Sequence, residues 1–408
     1  MAAQPGQSQR ILSFSSATWV DEASEPADAA GLTPGHRPAQ PLRVLLVGQG
    51  SPGGIGRYEI TLRHALDQLS HDGSLRYRWL TNLAYPPYLA ETLDNAPPWT
   101  ATGDRHALAR RMLRDTWHGR PHLILFTHVN LAPLGLLARL ASPRTRYLVS
   151  AHGAEVWRPL SPVKRLALQQ SKRILPVSSF TAEQLQRVQS VPPERLALLP
   201  NALEGVPEWG AVAGLNPTPL GNAPMLLTVG RMDVREGGKG VDTVLQALPQ
   251  IARLHPCLRY VVAGEGDDIQ RLRALAEALG VHDNVEFLGR VDATTLSHLY
   301  QECFAFVMPS NQEGFGIVYL EAMAAGKPVI AAYPGGATDV VDHERTGLLV
   351  RYGNVGDVAT AVLTLVADPD LAKGYGRAGY EKVVRQFTVD AVAPRLRHIL
   401  LDSAGRRD

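Results

Sequence analysis

The feature that most restricts the fold of this chain is an alternation that runs through it twice. Short aliphatic runs exchange with longer runs of helical period: Leu42–Val47, Ile55–Leu69, Arg76–Leu80, Leu123–Phe126, Leu131–Leu140, Tyr147–Ser150 and Pro162–Ser171. Apolar strands separated by helices belong in a parallel sheet covered on both faces. Between Asn201 and Pro224 the pattern dissolves into Gly, Pro, Asn and Ala, the composition of a linker. It then restarts with Met225–Val229, Val241–Arg253, Leu258–Ala263, Ile269–Leu279, Val285–Leu288, Leu296–Gln301, Phe304–Met308, Phe315–Ala325 and Pro328–Ala331. The spacing predicts an α/β protein of two doubly wound, Rossmann-like domains in tandem, with ligand at the C-terminal ends of the strands.

The boundaries follow from composition. Residues 1–40, rich in Ala, Pro, Gln and Ser with one apolar patch at Ile11–Val20, are expected to be a disordered leader. The first domain is expected over 41–203, a linker over 204–223, the second domain over 224–387 and a last helical segment over 388–408, whose Val389, Val392, Leu396 and Leu400 recur at helical spacing. A chain of 408 residues with 45% hydrophobic content exceeds one ordinary core.

The charge balance, 41 basic against 39 acidic residues for a net +2, gives no reason to expect a nucleic-acid partner. Cys257 and Cys303 are expected as reduced core thiols, and two cysteines cannot build a thiolate metal site. The apolar runs are far shorter than the roughly 20 residues that span a bilayer, and the start of the chain lacks a secretion signal, so a cytoplasmic protein is expected.

Three segments carry candidate chemistry. The first is Gly48-Gln-Gly-Ser-Pro-Gly-Gly-Ile-Gly56, where small residues let backbone approach a phosphate or sugar at a helix start. Gly48, Gly50 and Gly53 formally spell G-x-G-x-x-G, but Arg78-Trp-Leu-Thr-Asn82 lacks the acidic residue that a dinucleotide site wants, and a tight turn alone leaves the same trace. The second segment follows Leu226-Leu-Thr-Val-Gly-Arg231 and ends in Gly237-Gly-Lys-Gly240. There Arg231 and Lys239 flank one helix start and would neutralise a leaving diphosphate without metal, unless both are merely solvated. Asp233 and Gly240 stand where a Walker loop needs Gly and Ser or Thr.

The third segment, Pro309-Ser-Asn-Gln-Glu313-Gly-Phe-Gly-Ile-Val-Tyr-Leu-Glu321-Ala-Met-Ala-Ala-Gly326, is the sharpest. Glu313 sits in the loop after a buried strand and Glu321 about two turns along the next helix. Carboxylates accept hydrogen bonds from vicinal hydroxyls, and the amides at the helix start suit a phosphate.

With these residues in place the chain resembles the retaining glycosyltransferases of the GT-B fold, family 4 (glycosyl transferases group 1), which include phosphatidylinositol mannosyltransferases. Gly53-Gly-Ile-Gly-Arg-Tyr58, Ser150-Ala-His-Gly153, Val177-Ser-Ser-Phe180, Leu199-Pro-Asn-Ala202, Val262-Ala-Gly-Glu-Gly266, Phe287-Leu-Gly-Arg290 and Gly335-Gly336 match in identity and order. The resemblance implies two Rossmann-like domains facing a central cleft. It also implies metal-independent transfer of a hexose from a UDP- or GDP-linked donor to a saccharide or lipid-linked acceptor, in polysaccharide or glycoconjugate assembly.

By the same resemblance Arg231 and Lys239 hold the diphosphate, Glu313 contacts the transferred sugar and His152 binds one of its hydroxyls. Glu321 takes the ribose, Arg290 and Val291 meet the base, the amides of Phe315, Gly316 and Ile317 face the phosphates or sugar, and Gly54 brings the opposing domain close. Tyr58, His128 and Asn130 are acceptor-side candidates, with ordinary loop roles as the alternative, and Glu155 is a weaker candidate near His152. Two departures stand out: Met232–Gly238 is long for the phosphate loop, and Asp339 replaces a more usual glutamate.

No metal or other cofactor is expected. Asp368-Pro-Asp370 spells D-x-D but reads as a helix start with proline in its first turn. Arg105–Arg114 resembles a basic amphipathic helix, which in membrane-associated relatives lies on an anionic leaflet, here the cytoplasmic face of the inner membrane; a solvated face is the alternative. UDP-glucose, UDP-N-acetylglucosamine and GDP-mannose all remain open as donors. A glycoside phosphorylase, a nucleotide-sugar epimerase and a non-catalytic sugar-nucleotide binder are rival readings, and a nicotinamide-dependent oxidoreductase is disfavoured by the missing acidic residue.

Overall fold

The structure is a computed structural model and describes residues 40–50, 53–82, 99–101, 103–205, 223–234, 238–311 and 313–406. The expected leader (except Gln40), most of the expected linker and Gly237 lie outside the described residues.

The first half forms one six-stranded parallel sheet of β1 (Leu42–Gly48), β2 (Leu75–Thr81), β3 (Trp99–Ala101), β4 (Leu123–Phe126), β5 (Arg146–Ala151) and β6 (Arg173–Pro176). Its helices are α1 (Gly54–Ser70), α2 (Arg105–Gly119), α3 (Pro133–Ala141), α4 (Pro162–Gln170) and α5 (Ser179–Gln189). The second half repeats the plan with β7 (Met225–Val229), β8 (Arg259–Ala263), β9 (Val285–Gly289), β10 (Ala305–Met308), β11 (Val329–Tyr333) and β12 (Gly347–Arg351). Around it lie α6 (Val241–Leu254), α7 (Ile269–Ala278), α8 (Ala293–Glu302), α9 (Ile317–Ala324), α10 (Ala337–Val340), α11 (Val355–Ala367), α12 (Pro369–Gln386) and α13 (Val389–Ala404).

The strand orders are β3-β2-β1-β4-β5-β6 and, read in the same sense, β9-β8-β7-β10-β11-β12. Both are the doubly wound order whose direction reverses between the first and fourth strands, which leaves a crevice at the end of β1 and β4 and another at the end of β7 and β10. The central strands β4 and β10 are buried at every position, as strands covered on both faces must be.

The halves are strapped together at two crossings. Leu203 donates its amide to the Phe387 carbonyl at 2.7 Å and accepts from the Val389 amide at 3.0 Å. The chain then runs into α13, which lies along α1 of the first half. Val392, Leu396 and Leu400 of α13 share an apolar cluster with Leu62, Ala65 and Leu66 of α1. Burying a leucine such as Leu396 fully contributes about 2 kcal/mol. Polar ends lock the strap, with Arg173 to Asp402 at 2.6 Å and Arg146 to the Ser403 carbonyl at 2.8 Å.

One sequence expectation changes here and another holds. Cys303 is buried, but Cys257 is exposed, because it falls in the turn between α6 and β8 rather than in a strand. Asp368-Pro-Asp370 is indeed a helix start: Asp368 accepts from the Leu371 amide at 3.0 Å with Pro369 first in α12. Asp370 turns to Lys373.

Helix α12 supports α9, and the distance between them is set by Gly376, where a Cβ would overlap the Gly326 carbonyl oxygen just beyond α9. Gly374, two residues earlier, faces open space. Gly376→Ala is therefore expected to destabilise the protein by about 1–3 kcal/mol through overpacking, and Gly374→Ala to stabilise it by about 0.5–1 kcal/mol through helix propensity. Urea denaturation of the two variants checks the opposite signs.

Candidate functional site

The two crevices face each other and touch through glycine. A Cβ on Gly153, after β5, would lie 2.9 Å from the Gly314 Cα, and one on Gly314 would overlap the His152 carbonyl oxygen. Only two residues without side chains let these backbones meet. The contact puts His152 and Glu313, each one residue away, on adjoining loops. Gly54, first in α1, approaches Ile317, first in α9, with only 3.9 Å between its Cβ position and the isoleucine Cδ1.

On the second half, Lys239 donates to Glu313 Oε2 at 3.0 Å. The loops are joined by the Asn311 amide donating to the Gly238 carbonyl at 3.0 Å, which sets that pairing. Arg231, at the end of β7, is mostly in solvent, with Asp233 Oδ2 at 2.6 Å. Glu321 on α9 accepts from the Tyr300 hydroxyl at 2.7 Å and pairs with Arg57, which reaches it from α1 of the other half. Phe315 is buried against Phe387, so its side chain faces the core, and the Gly336 backbone passes over its amide. Arg290 and Val291 follow β9 at the sheet edge, where Arg290 lies 3.5 Å from Glu265 on the surface.

On the first half, the His152 Nε2 lies 2.7 Å from the Thr127 carbonyl oxygen. A carbonyl only accepts, so Nε2 carries the proton, and in the neutral ring Nδ1 is left as an acceptor for a hydroxyl. The His152 amide donates to Glu155 Oε1 at 2.6 Å, Tyr58 packs edge-on against the ring at 4.7 Å, and His128 stacks on it at 5.7 Å.

Two of the acceptor-side candidates are buried here. Tyr58 is 2% exposed with its hydroxyl bonded to Ser150 Oγ at 2.8 Å, because the second turn of α1 faces the sheet; burial holds that hydroxyl well above its ordinary pKa. His128 is 5% exposed and accepts from the Asn130 amide at 3.0 Å. Both support His152 from behind. Asn130 stays at the surface, where it accepts from Lys164 at 2.6 Å.

The start of the glycine loop after β1 is tied to α1. Glu59, buried on α1, accepts from the Gln49 amide at 2.8 Å, the Gly50 amide at 3.1 Å and the Thr127 hydroxyl. The Gln49 and Gly50 amides thus point inward to a side chain of α1. Sequence reasoning missed Glu59 and Arg57; a glutamate inside the apolar run Tyr58-Glu-Ile60 was the available signal. Asp339, the unusual residue, caps the start of α5 by accepting from the Ser179 amide at 2.5 Å and from its hydroxyl, a second bond across the cleft.

Comparison with known proteins finds relatives of both halves. The model of the family described as Glycosyltransferase Family 4 matches residues 52–204, and that of Glycosyl transferases group 1 matches residues 217–382. The chain is 36% identical over 321 residues to the GDP-mannose-dependent alpha-(1-6)-phosphatidylinositol monomannoside mannosyltransferase of Mycobacterium tuberculosis, covering 74% of this chain and 80% of that one. It is 31% identical to the protein of the same description from Mycolicibacterium smegmatis, covering 78% and 83%. Among solved structures, Anabaena HepE in complex with UDP superposes with a TM-score of 0.69 at 19% identity, over 88% of this chain and 100% of that one.

Burial, with the nearby His152 and Lys164, depresses the His128 pKa from 6.5 to about 4 against the opposing pull of Glu155. The unfolded chain therefore binds a proton that the folded one refuses, and the stability from neutral His128 is full above pH 6.5 and lost as pH falls toward 4. Between pH 7 and 5 this loss amounts to about 2 kcal/mol. His128→Gln is expected to flatten that part of the stability–pH curve measured by urea denaturation. An unchanged slope would show that His128 titrates normally.

Proposed function

Because the chain belongs to the family 4 glycosyltransferases, with a group 1 domain as its second half, we propose that it is a retaining, metal-independent mannosyltransferase that uses GDP-mannose and a lipid-linked or saccharide acceptor. The observation that carries this reading is the cross-cleft cluster, in which the Gly153–Gly314 contact brings His152 beside Glu313 with Lys239 3.0 Å from that glutamate. An ammonium for a phosphate oxygen, a carboxylate for sugar hydroxyls and an imidazole acceptor for another hydroxyl are what a sugar nucleotide needs at its reacting end. The choice of mannose and guanosine rests on the names of the mycobacterial relatives.

In this mechanism Lys239 and Arg231 neutralise the departing diphosphate together with the start of α9. Glu321 takes the ribose hydroxyls. Glu313 and the His152 Nδ1 orient the mannose so that the acceptor hydroxyl attacks on the face the phosphate leaves, its proton passing to the leaving phosphate oxygen. Front-face substitution keeps the anomeric configuration. No divalent cation enters, because the lysine, the arginine and the helix terminus supply the positive charge.

In EDTA, GDP and GDP-mannose are expected to raise the melting temperature by on the order of 5 °C near a hundred times Kd, with UDP-glucose ineffective and Glu321→Ala abolishing the shift. Transfer to a phosphatidylinositol mannoside should persist in EDTA and give an α-linkage by NMR. Stabilisation by UDP alone would replace the donor, and recovery only with Mg2+ or Mn2+ would end the metal-free reading.

The acceptor side is proposed to rest on an anionic membrane. Among the described residues no helix is long and apolar enough to cross a bilayer. The basic segment is partly neutralised internally, since Asp115, 6% exposed, gathers Arg78, Arg111 and Arg114. What stands out instead is a groove between α2 and α3 lined by Leu113, Arg114, Trp117, His118, Leu137 and Leu140, with Trp117 62% and Leu140 80% exposed. A tryptophan and leucines beside an arginine suit the headgroup boundary of a bilayer. Sedimentation with phosphatidylglycerol-containing vesicles is expected and should fall at least fivefold, by about the loss of two interfacial side chains, in Trp117→Ala/Leu140→Ser. Equal binding by the double variant would move the contact elsewhere.

A further inference from the structure

The ion pair that spans the cleft involves a residue to which the mechanism above gives no part. Arg57 stands in the first turn of α1, and its guanidinium meets Oε1 of Glu321 on α9, while the other carboxylate oxygen, Oε2, accepts from the buried Tyr300 hydroxyl at 2.7 Å. Glu321 keeps 12% of its side-chain surface and Arg57 keeps 45%, so the carboxylate is set in the wall of the cleft and the guanidinium lies over it from outside. Both oxygens of the group assigned to the ribose are thereby already bonded.

We propose that Arg57 is a positioning residue of the donor site that competes with the ribose for Glu321, so that entry of the nucleoside exchanges a cross-domain ion pair for two hydroxyl hydrogen bonds. The inference rests on the ribose role of Glu321 given above. Ribose hydroxyls are neutral donors, and the guanidinium that lies over Oε1 covers the side of the carboxylate from which they would approach. Because Arg57 belongs to the first half and Glu321 to the second, the same exchange loosens a polar tie across the cleft. Another tie, Asp339 to Ser179, does not involve Glu321 and stays in place.

The test separates competition from simple opening. Isothermal titration with GDP, and with UDP in parallel, is made on wild type, Arg57→Ala, Arg57→Lys and Asp339→Ala. Small-angle scattering is recorded on the same proteins without nucleotide. Competition requires Arg57→Ala to bind the nucleotide about fivefold tighter, the equivalent of one partly exposed ion pair, with Arg57→Lys between it and wild type. Asp339→Ala should open the protein without tightening binding. Arg57→Ala should also enlarge the radius of gyration.

Weaker binding by Arg57→Ala would make Arg57 a direct ligand of the donor and overturn the competition. So would a gain of the same size in Asp339→Ala. If wild type bound neither nucleotide, the proposed function would fall. The scattering would then still decide the tie, with an unchanged radius of gyration in Arg57→Ala overturning it.

Discussion

The meeting of two backbones at Gly153 and Gly314 is the constraint on which the rest of the site depends. A single methyl group at either position would push the loops after β5 and β10 apart, and these loops carry His152 and Glu313. Closure of a cleft between two doubly wound halves brings their strand ends within reach of one ligand, but the last ångströms are set by sterics rather than by any attraction. The same logic recurs behind the site, where the Gly376 backbone lets α12 reach the turn that ends α9. Glycine acts in these places through the close approach it permits.

Electrostatics then decides how the approach is used. Lys239 pairs with Glu313, Arg231 with Asp233 and Arg57 with Glu321, so each charge assigned to the donor already has an opposite partner. Charges held this way cost less to keep in a half-buried cleft than lone ones, and they need only re-sort, without new desolvation, to meet a diphosphate and a set of hydroxyls. A cleft wall of opposed pairs is thus ready for a ligand that carries anion and hydroxyl groups side by side. The first half contributes shape and hydrogen-bond direction: Glu59 draws the Gln49 and Gly50 amides inward and steadies Thr127, whose carbonyl fixes the proton of His152 on Nε2.

The strap formed by α13 gives these interactions a frame. Leu203, Phe387 and Val389 bind the two connections to each other, and α13 carries the chain back along α1, the helix that also bears Arg57, Tyr58 and Glu59. Movement of one half against the other therefore acts on the helix that supports His152 and reaches Glu321.

Much of this was legible in the sequence because it depends on local rules. Period and apolar runs determined where strands and helices lie and that they alternate in two tandem sheets, down to identical bounds for Leu123–Phe126 and Met225–Val229. Glycine-flanked carboxylates at a strand-to-helix turn singled out Glu313 and Glu321. What a residue touches across the fold follows no such rule, since a tyrosine or histidine near a strand end has the same local signature whether it faces solvent or the core. Tertiary packing alone decided that Tyr58 and His128 stand behind His152, that Cys257 is exposed, and that Glu59 takes the Gln49 and Gly50 amides. It alone decided that Arg57 crosses to Glu321, because that pair joins residues more than 250 positions apart, and only the closing of two domains brings such charges within range.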